Sequence, residues 1–456
     1  MPTRSRLTLT AALAAIALTL AGCAGTTTAP SSSPSPTASA SQAAVVIPAT
    51  PAGATTRWVL DLMNAEADTT AADWEGRLTA EFLAEVPAEE IAKLINTSIR
   101  PAKPLEATAY EGDERTAVTT IVGQIGEPFN LSISVTEDDK IEGLFMGPAT
   151  EPREAATSLD EVTERLGKLP GDVRALVIRD GERLVDRNAD EAAPTGSVFK
   201  LYVLGAVADA VAAGTVAWDE TLTVTDEVKS LPSGELQDAP AGTTLSVRDA
   251  AEKMISISDN TATDMLIQRV SRDAVETAVV EMGHSDPGLM RPFLTTQELF
   301  ALGWGDHDAL AERWAAGDEG ERRAVLDELA ALPFDIAVDT VDLTATFWQR
   351  GMEWFFSPDD IAAAHDALQT RAAADPVVSE ILEINPGITI DSAAWSNVAF
   401  KGGSSPGVVA GSWHARSADG TPVTIVVTMA DDEALSTTDQ TELFGLVEDT
   451  FRVLAE

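Results

Sequence analysis

The chain has 456 residues, 45% of them hydrophobic, which is enough for two or three domains with sizeable cores. It carries 73 Asp and Glu against 31 Lys and Arg, a net charge of −42. That balance argues against a nucleic-acid partner, because neutralising phosphates takes a clustered positive surface that this chain cannot easily supply; the acidic residues read instead as a solvated exterior.

At the N-terminus Arg4 and Arg6 precede an apolar run over 7–20, which ends in Leu20-Ala21-Gly22-Cys23. A charged n-region, an apolar stretch too short to be a good membrane span, and small residues before a Cys describe a secretory signal over 1–23. The pattern resembles a bacterial lipobox. The resemblance implies that Cys23 receives the lipid and that the protein works outside the cytoplasm, anchored to the cell membrane. Cys23 is also the only Cys, so no disulfide forms within a monomer and no Cys nucleophile or Cys-based metal site remains after lipidation. Residues 24–55, rich in Ser, Thr, Pro and Ala, cannot bury enough apolar surface to fold and read as a disordered tether.

A first folded domain is expected over 56–150. It opens with helical segments that include Trp58, Leu60, Leu62 and Met63 and then 88–95. Strand-like stretches follow at 105–110, 116–122, 129–135 and 141–145, separated by Gly, Asp and Glu turns. Helices followed by an antiparallel sheet make an α+β cone, and nothing in it pairs acids in the manner of a site.

The second domain is expected over 151–456. A hairpin pairs 173–179 with 182–187 through Asp180-Gly181, and Thr195-Gly196 then turns the chain into an apolar helix over 198–213. Further helices are expected at 247–254 and 261–270, and at 308–314, 320–332 and 358–368 within a helical insertion of about 300–390. Trp348, Trp354, Phe355 and Phe356 fall between those last helices and read as core, or as a roof over a cleft. A strand over 393–400 is expected to end at Lys401, followed by strands at 408–416 and 421–429 joined by Ala418-Asp419-Gly420. Leu443, Leu446, Val447, Phe451 and Leu454 then mark a closing amphipathic helix.

Three short motifs stand at the boundaries of these elements. Ser197 and Lys200 are three apart on one helix, so the amine lies one turn from the hydroxyl and, when neutral, can take its proton. Ser258-Asp259-Asn260 sits at a helix-to-helix corner and adds a second hydroxyl and an amide, with Asp259 read as a structural cap. Lys401-Gly402-Gly403 comes last.

In this order the motifs resemble S-x-x-K, S-D-N and K-T-G of the class A β-lactamases and penicillin-binding proteins. The resemblance implies an antiparallel sheet with a helical block, preceded here by the smaller α+β cone. It also implies that Ser197 is the nucleophile, Lys200 the base and Ser258 the proton relay. Asn260, Lys401, Gly403 and Ser404 place the substrate, and the backbone N–H groups of Ser197 and Ser404 form the oxyanion hole. With a cone ahead of it, the whole is similar to two-domain serine hydrolases with a steroid-isomerase-like domain, one of which occurs in clavulanic-acid clusters.

Two departures bear on the reaction. No E-x-x-L-N motif, which supplies the deacylating Glu in class A, occurs between Asn260 and Lys401; the chain runs from Arg291-Pro292-Phe293-Leu294 to Thr295-Thr296-Gln297-Glu298 as if that loop were shortened. Glu298 reads as a first-turn helix residue. Gly402 stands where the motif has Thr, which leaves a substrate-holding hydroxyl to Ser404 or Ser405. His284, His307, His365 and His414 have no ligand spacing, so no metal or other cofactor is expected. The expected partner is a small acyl donor, a β-lactam or a related ester or amide. The alternatives are a D-Ala-D-Ala carboxypeptidase or transpeptidase, and a penicillin-binding protein that acylates once and stalls.

Overall fold

The computed structural model describes residues 45–124, 128–149, 153–336, 341–342 and 344–455. Cys23, the rest of the expected signal and the expected tether up to residue 44 lie outside the described residues. The chain divides between Arg153 and Glu154 into two compact units.

The first unit starts earlier than expected. Helix α1 runs Pro51–Asn64, beginning inside the stretch assigned to the tether, because Thr50 caps it (its Oγ1 accepts from Gly53 N at 3.1 Å) and Pro51 fits the first helical turn. Burial of Val59 and Met63 then holds this helix to the core. Short helices α2 (Ala71–Glu75), α3 (Ala80–Glu85) and α4 (Ala88–Leu94) follow. Strands β1 (Glu106–Gly112), β2 (Thr116–Val122), β3 (Phe129–Val135) and β4 (Ile141–Pro148) form an antiparallel meander. Leu131, Ile133 and Val135 alternate inward on β3 and share one core with Met63, Trp74 and Ile95.

The second unit begins with helix α5 (Leu159–Leu166), the hairpin β5 (Asp172–Arg179) and β6 (Glu182–Arg187), and a two-residue strand β7 (Ala193–Pro194). Helix α6 (Lys200–Ala212) comes next and is buried from Lys200 to Ala208. A small ladder pairs β8 (Thr221–Thr223) with β9 (Thr244–Ser246). Helices α7 (Val247–Ser256), α8 (Asn260–Val270), α9 (Arg272–Glu281), α10 (Thr296–Trp304), α11 (Asp308–Ala316) and α12 (Glu319–Leu329) complete most of the helical block. Strand β10 (Phe355–Phe356), helices α13 (Pro358–Ala374) and α14 (Val377–Leu382), strands β11 (Trp395–Ser405), β12 (Val408–Ser417) and β13 (Pro422–Ala430), and helix α15 (Thr437–Ala455) end the chain.

The five-stranded sheet has the order β11-β12-β13-β5-β6 and is antiparallel throughout. Alternate side chains feed two cores. Val173, Ala175, Val177, Ile425, Val427 and Trp413 pack with α5 and α15, while Leu176, Ala410 and Val426 join the helical block on the other face. This is the expected α+β arrangement, with two differences. Strand β11 does not stop before Lys401 but carries the motif in its middle. Helix α13 is no insertion, since Ile361, Ala364 and Leu368 lie in the same core as α6. Phe355 and Phe356, read as core aromatics or a roof, form β10, which pairs with β7, while the helices expected at 308–314 and 320–332 are α11 and α12. Among the described residues no helix is long and apolar enough to cross a membrane.

Candidate active site

The turn at Gly196 makes the site. Gly196 has φ +51°, a left-handed conformation that costs a residue with a side chain, and a Cβ there would lie 2.5 Å from Ser404 N. A 3₁₀ turn over Gly196–Phe199 then delivers Ser197 to the start of α6. From the facing strand, Gly403 comes equally close: a Cβ on it would collide with Thr195 O and stand 2.5 Å from Ser197 N. Two glycines therefore let β11 touch the Ser197 turn backbone to backbone. This brings the N–H groups of Ser197 and Ser404 to neighbouring positions.

Lys200, one turn on, is fully buried. Its Nζ reaches Ser258 O at 2.6 Å, Asn260 Oδ1 at 2.7 Å and Ser258 Oγ at 3.0 Å, so its three donor positions point to the S-D-N corner and none to Ser197. Burial pushes the Lys200 amine well below its usual range, and the positive charge of Lys401 pushes it further; Asp264 and Asp259 pull the other way. Lys401 is 2% exposed, and its Nζ meets Ser258 Oγ at 3.1 Å and Gly402 O at 2.7 Å. Burial brings the Lys401 amine down to about 7. Ser258 holds this position at φ +59°, strain worth about 1 kcal/mol for a residue with a Cβ.

Asp259 behaves as the cap the sequence suggests. Its carboxylate accepts from Ala262 N at the start of α8 and from Glu235 N and Leu236 N. Asn260 is partly engaged within the corner. Its Oδ1 is taken by Lys200 and its Nδ2 donates to Leu231 O at 3.0 Å, which leaves one N–H to offer a substrate. Ser404 is exposed, whereas the hydroxyl of Ser405 donates to Glu353 Oε2 at 2.5 Å. Of the two serines, only Ser404 has its hydroxyl open to a ligand. Glu298 closes a capping box with Thr295 and pairs with Arg272 at 2.6 Å, so it is fully engaged in the fold. Among the described residues no three His, Cys, Asp or Glu side chains converge as metal ligands.

These distances form one connected unit. Lys200, Ser258 and Lys401 are hydrogen-bonded to one another and Ser197 adjoins them through its backbone beside Gly403; they come from a turn, a helix, a corner and an edge strand that the sequence separates by up to 204 positions (401 − 197). The model of the beta-lactamase enzyme family matches residues 155–382. The chain belongs to that family. A second family model, described as ORF 12 gene product N-terminal, matches residues 47–141.

Solved structures similar to this family member include the β-lactamase of Sphaerobacter thermophilus, at 23% identity over 65% of this chain and 95% of that one, with a TM-score of 0.46. A class A β-lactamase from Bacteroides cellulosilyticus is 17% identical over 65% and 96%, and PBP-A 15% identical over 65% and 94%, each with a TM-score of 0.46. No curated protein sequence matches the chain.

Glu353 is the residue that motif reading missed. It is 3% exposed, and burial raises its carboxyl to about 7 against the pull of hydrogen bonds from Ser405 and Trp354. The only signal in the sequence is a single acid inside the apolar run from Met352 to Phe356.

Proposed function

We propose that this protein is an active-site-serine hydrolase that forms an acyl-enzyme at Ser197 with a β-lactam or a related ester or amide. The observation that carries this reading is the buried Lys200, held towards neutrality beside Ser258 and Lys401. Ser197 Oγ forms a bond to the carbonyl carbon as its proton passes to the Lys200 amine, which turns one position from the S-D-N corner towards Ser197 to receive it, and the carbonyl electron pair moves onto oxygen between the Ser197 and Ser404 N–H groups. Collapse breaks the bond to nitrogen or oxygen. The leaving group takes a proton from Ser258 Oγ, which Lys200 replenishes. Lys401, Ser404 and the free N–H of Asn260 orient the acyl donor. The fitting experiment is intact mass of the protein over time after addition of a fluorescent penicillin.

A second reading, a penicillin-binding protein that stalls at the acyl-enzyme, is favoured by the engagement of two candidate acids. Glu298 is bound to Arg272 and Glu353 to Ser405, so neither presents a free carboxylate to a second water. A burst equal to the enzyme concentration followed by slow turnover fits both readings, and the later rate separates them. A D-Ala-D-Ala peptidase would instead release D-Ala from a cell-wall peptide.

In the same reading the N-terminal unit is a steroid-isomerase-like cone without catalytic residues. The protein is tethered outside the cytoplasm by a lipid on Cys23. Cys23→Ala should move it from the membrane fraction to the medium or leave it as uncleaved precursor.

A further inference from the structure

We infer that Glu353 is a positioning residue that sets the spacing of the oxyanion hole, an inference that rests on the proposed acylation of Ser197. Its carboxylate accepts from Ser405 Oγ at 2.5 Å and from Trp354 N at 3.0 Å, and the next backbone group, Trp354 O, accepts from Thr195 N at 2.9 Å. Thr195 lies just before Gly196 and Ser197, and Ser405 immediately follows Ser404. Glu353 and Trp354 therefore tie the strand just beyond Ser404 to the turn just before Ser197, one through the carboxylate and the other through its carbonyl.

The clamp is itself rigidly held. Trp354 stacks on Phe199 with ring centroids 3.8 Å apart and an interplanar angle of 19°, and its Nε1 donates to Leu294 O at 3.2 Å. Trp354 O accepts from both Thr195 N (2.9 Å) and Thr195 Oγ1 (3.1 Å), and the β7–β10 ladder continues the same seam. On the far side Trp348 Nε1 donates to Asp431 O and Thr346 Oγ1 to Asp432 O, each at 3.0 Å, so the segment is fastened on both sides of Glu353. The close approach at Gly196 and Gly403 brings β11 and the turn together, and Glu353 prevents them from sliding. Donors fixed in advance at the position of a developing oxyanion are worth more than donors that must reorganise. A buried carboxylate with two converging donors also explains why an acid is retained in a run of Met, Trp and Phe, where an unpaired charge would be costly.

The test compares wild type, Glu353→Gln and Ser405→Ala at pH 8, with p-nitrophenyl acetate, its thionoester counterpart and phenylboronic acid as probes. A hole spaced for oxygen fits the longer, more weakly accepting C=S bond poorly, so wild type should show a large oxygen-to-sulfur ratio of acylation rates. Glu353→Gln should lower acylation by the oxygen ester about 100-fold and weaken phenylboronic acid binding by a similar factor, and the oxygen-to-sulfur ratio should shrink. Ser405→Ala, which removes one end of the clamp, should give about a 10-fold effect in the same three readouts. A general loss of packing would slow both esters alike. An adduct on Ser197 in wild type with an unchanged ratio in both variants overturns this inference alone. No adduct in wild type overturns the proposed function as well. If Glu353→Gln does not fold, Ser405→Ala decides: an altered ratio supports the clamp and an unaltered one refutes it.

Discussion

The Nζ atoms of Lys200 and Lys401 converge on one hydroxyl, that of Ser258, at 3.0 and 3.1 Å. Two ammonium groups around one oxygen repel each other, and both are buried, so the pair is driven to give up a proton. The rate of acylation should therefore rise with pH through the neutral range as the base form fills. Lys401→Gln removes the charge that lowers Lys200, so the midpoint of that rise should move up by about one pH unit. Rapid-mixing acylation rates between pH 5.5 and 9 measure it, and an unmoved midpoint would show that the two amines are not coupled.

The same pair has a stability signature. In the unfolded chain each amine holds its proton up to about 10.5, whereas in the folded protein Lys401 loses it near 7. Between those values the unfolded state binds more protons, so folding stability should increase with pH from about 7 to 10.5. Thermal unfolding of wild type across that window should show a rising midpoint, and Lys401→Met should flatten the rise. A wild-type midpoint that is flat from pH 7 to 10 would refute the buried neutral amine.

Replacing Lys200 by Arg keeps the charge and abolishes the base. Acylation of Ser197 should fall by about two to four orders of magnitude, provided circular dichroism shows the variant folded. A nearly unchanged rate would assign the proton to another group.

Gly402 and Gly403 are adjacent and should answer differently to a side chain. At Gly403 a Cβ meets fixed backbone, Thr195 O and Ser197 N, so Gly403→Ala should push β11 off the turn and cut acylation at least about 100-fold. At Gly402 the nearest obstacle is the ring of Phe400, at 2.8 Å, which can rotate aside. Gly402→Thr should therefore fold, restore the hydroxyl of the K-T-G pattern and lower KM for carboxylate-bearing penicillins severalfold. Steady-state kinetics and thermal unfolding of the two variants check the contrast.

His365 on α13 faces His414 on β12 with ring centroids 6.1 Å apart, and neither nitrogen of His365 has a hydrogen-bond partner among the described residues. Burial, and to a lesser extent His414, lowers His365 from 6.5 to about 3. As pH falls below 6.5 the unfolded chain takes up a proton that folded His365 refuses, so stability is lost progressively towards about pH 3. His365→Leu removes this loss. Its advantage in unfolding midpoint over wild type should grow from pH 7 to pH 4, and a constant gap would contradict the assignment.

Much of this architecture can be read from local pattern. Strands β2 and β3 and the hairpin β5–β6 follow from period-two alternation and an Asp-Gly turn, and Ser197, Lys200, Ser258 and Lys401 stand out because three motifs keep their order. What stays hidden depends on contacts across long sequence separations. Glu353 belongs to no motif, and it acquires meaning only when β10 pairs with β7 and carries it to the Ser197 turn and Ser405. Asn260 reads as a substrate ligand, but the sequence does not show that Lys200 occupies its oxygen and leaves a single N–H for that role. Helix α13 resembles insertion material in sequence because its burial against α6 is a tertiary fact.

The central claim is that Ser197 forms a covalent acyl-enzyme. Wild-type protein incubated with a fluorescent penicillin and an activated ester, then digested and mapped by mass spectrometry, should carry the adduct on the peptide containing Ser197, and Ser197→Ala should carry none while remaining folded. A folded wild-type protein with no adduct across penicillins, cephalosporins and esters, or an adduct that persists in Ser197→Ala, would contradict the account.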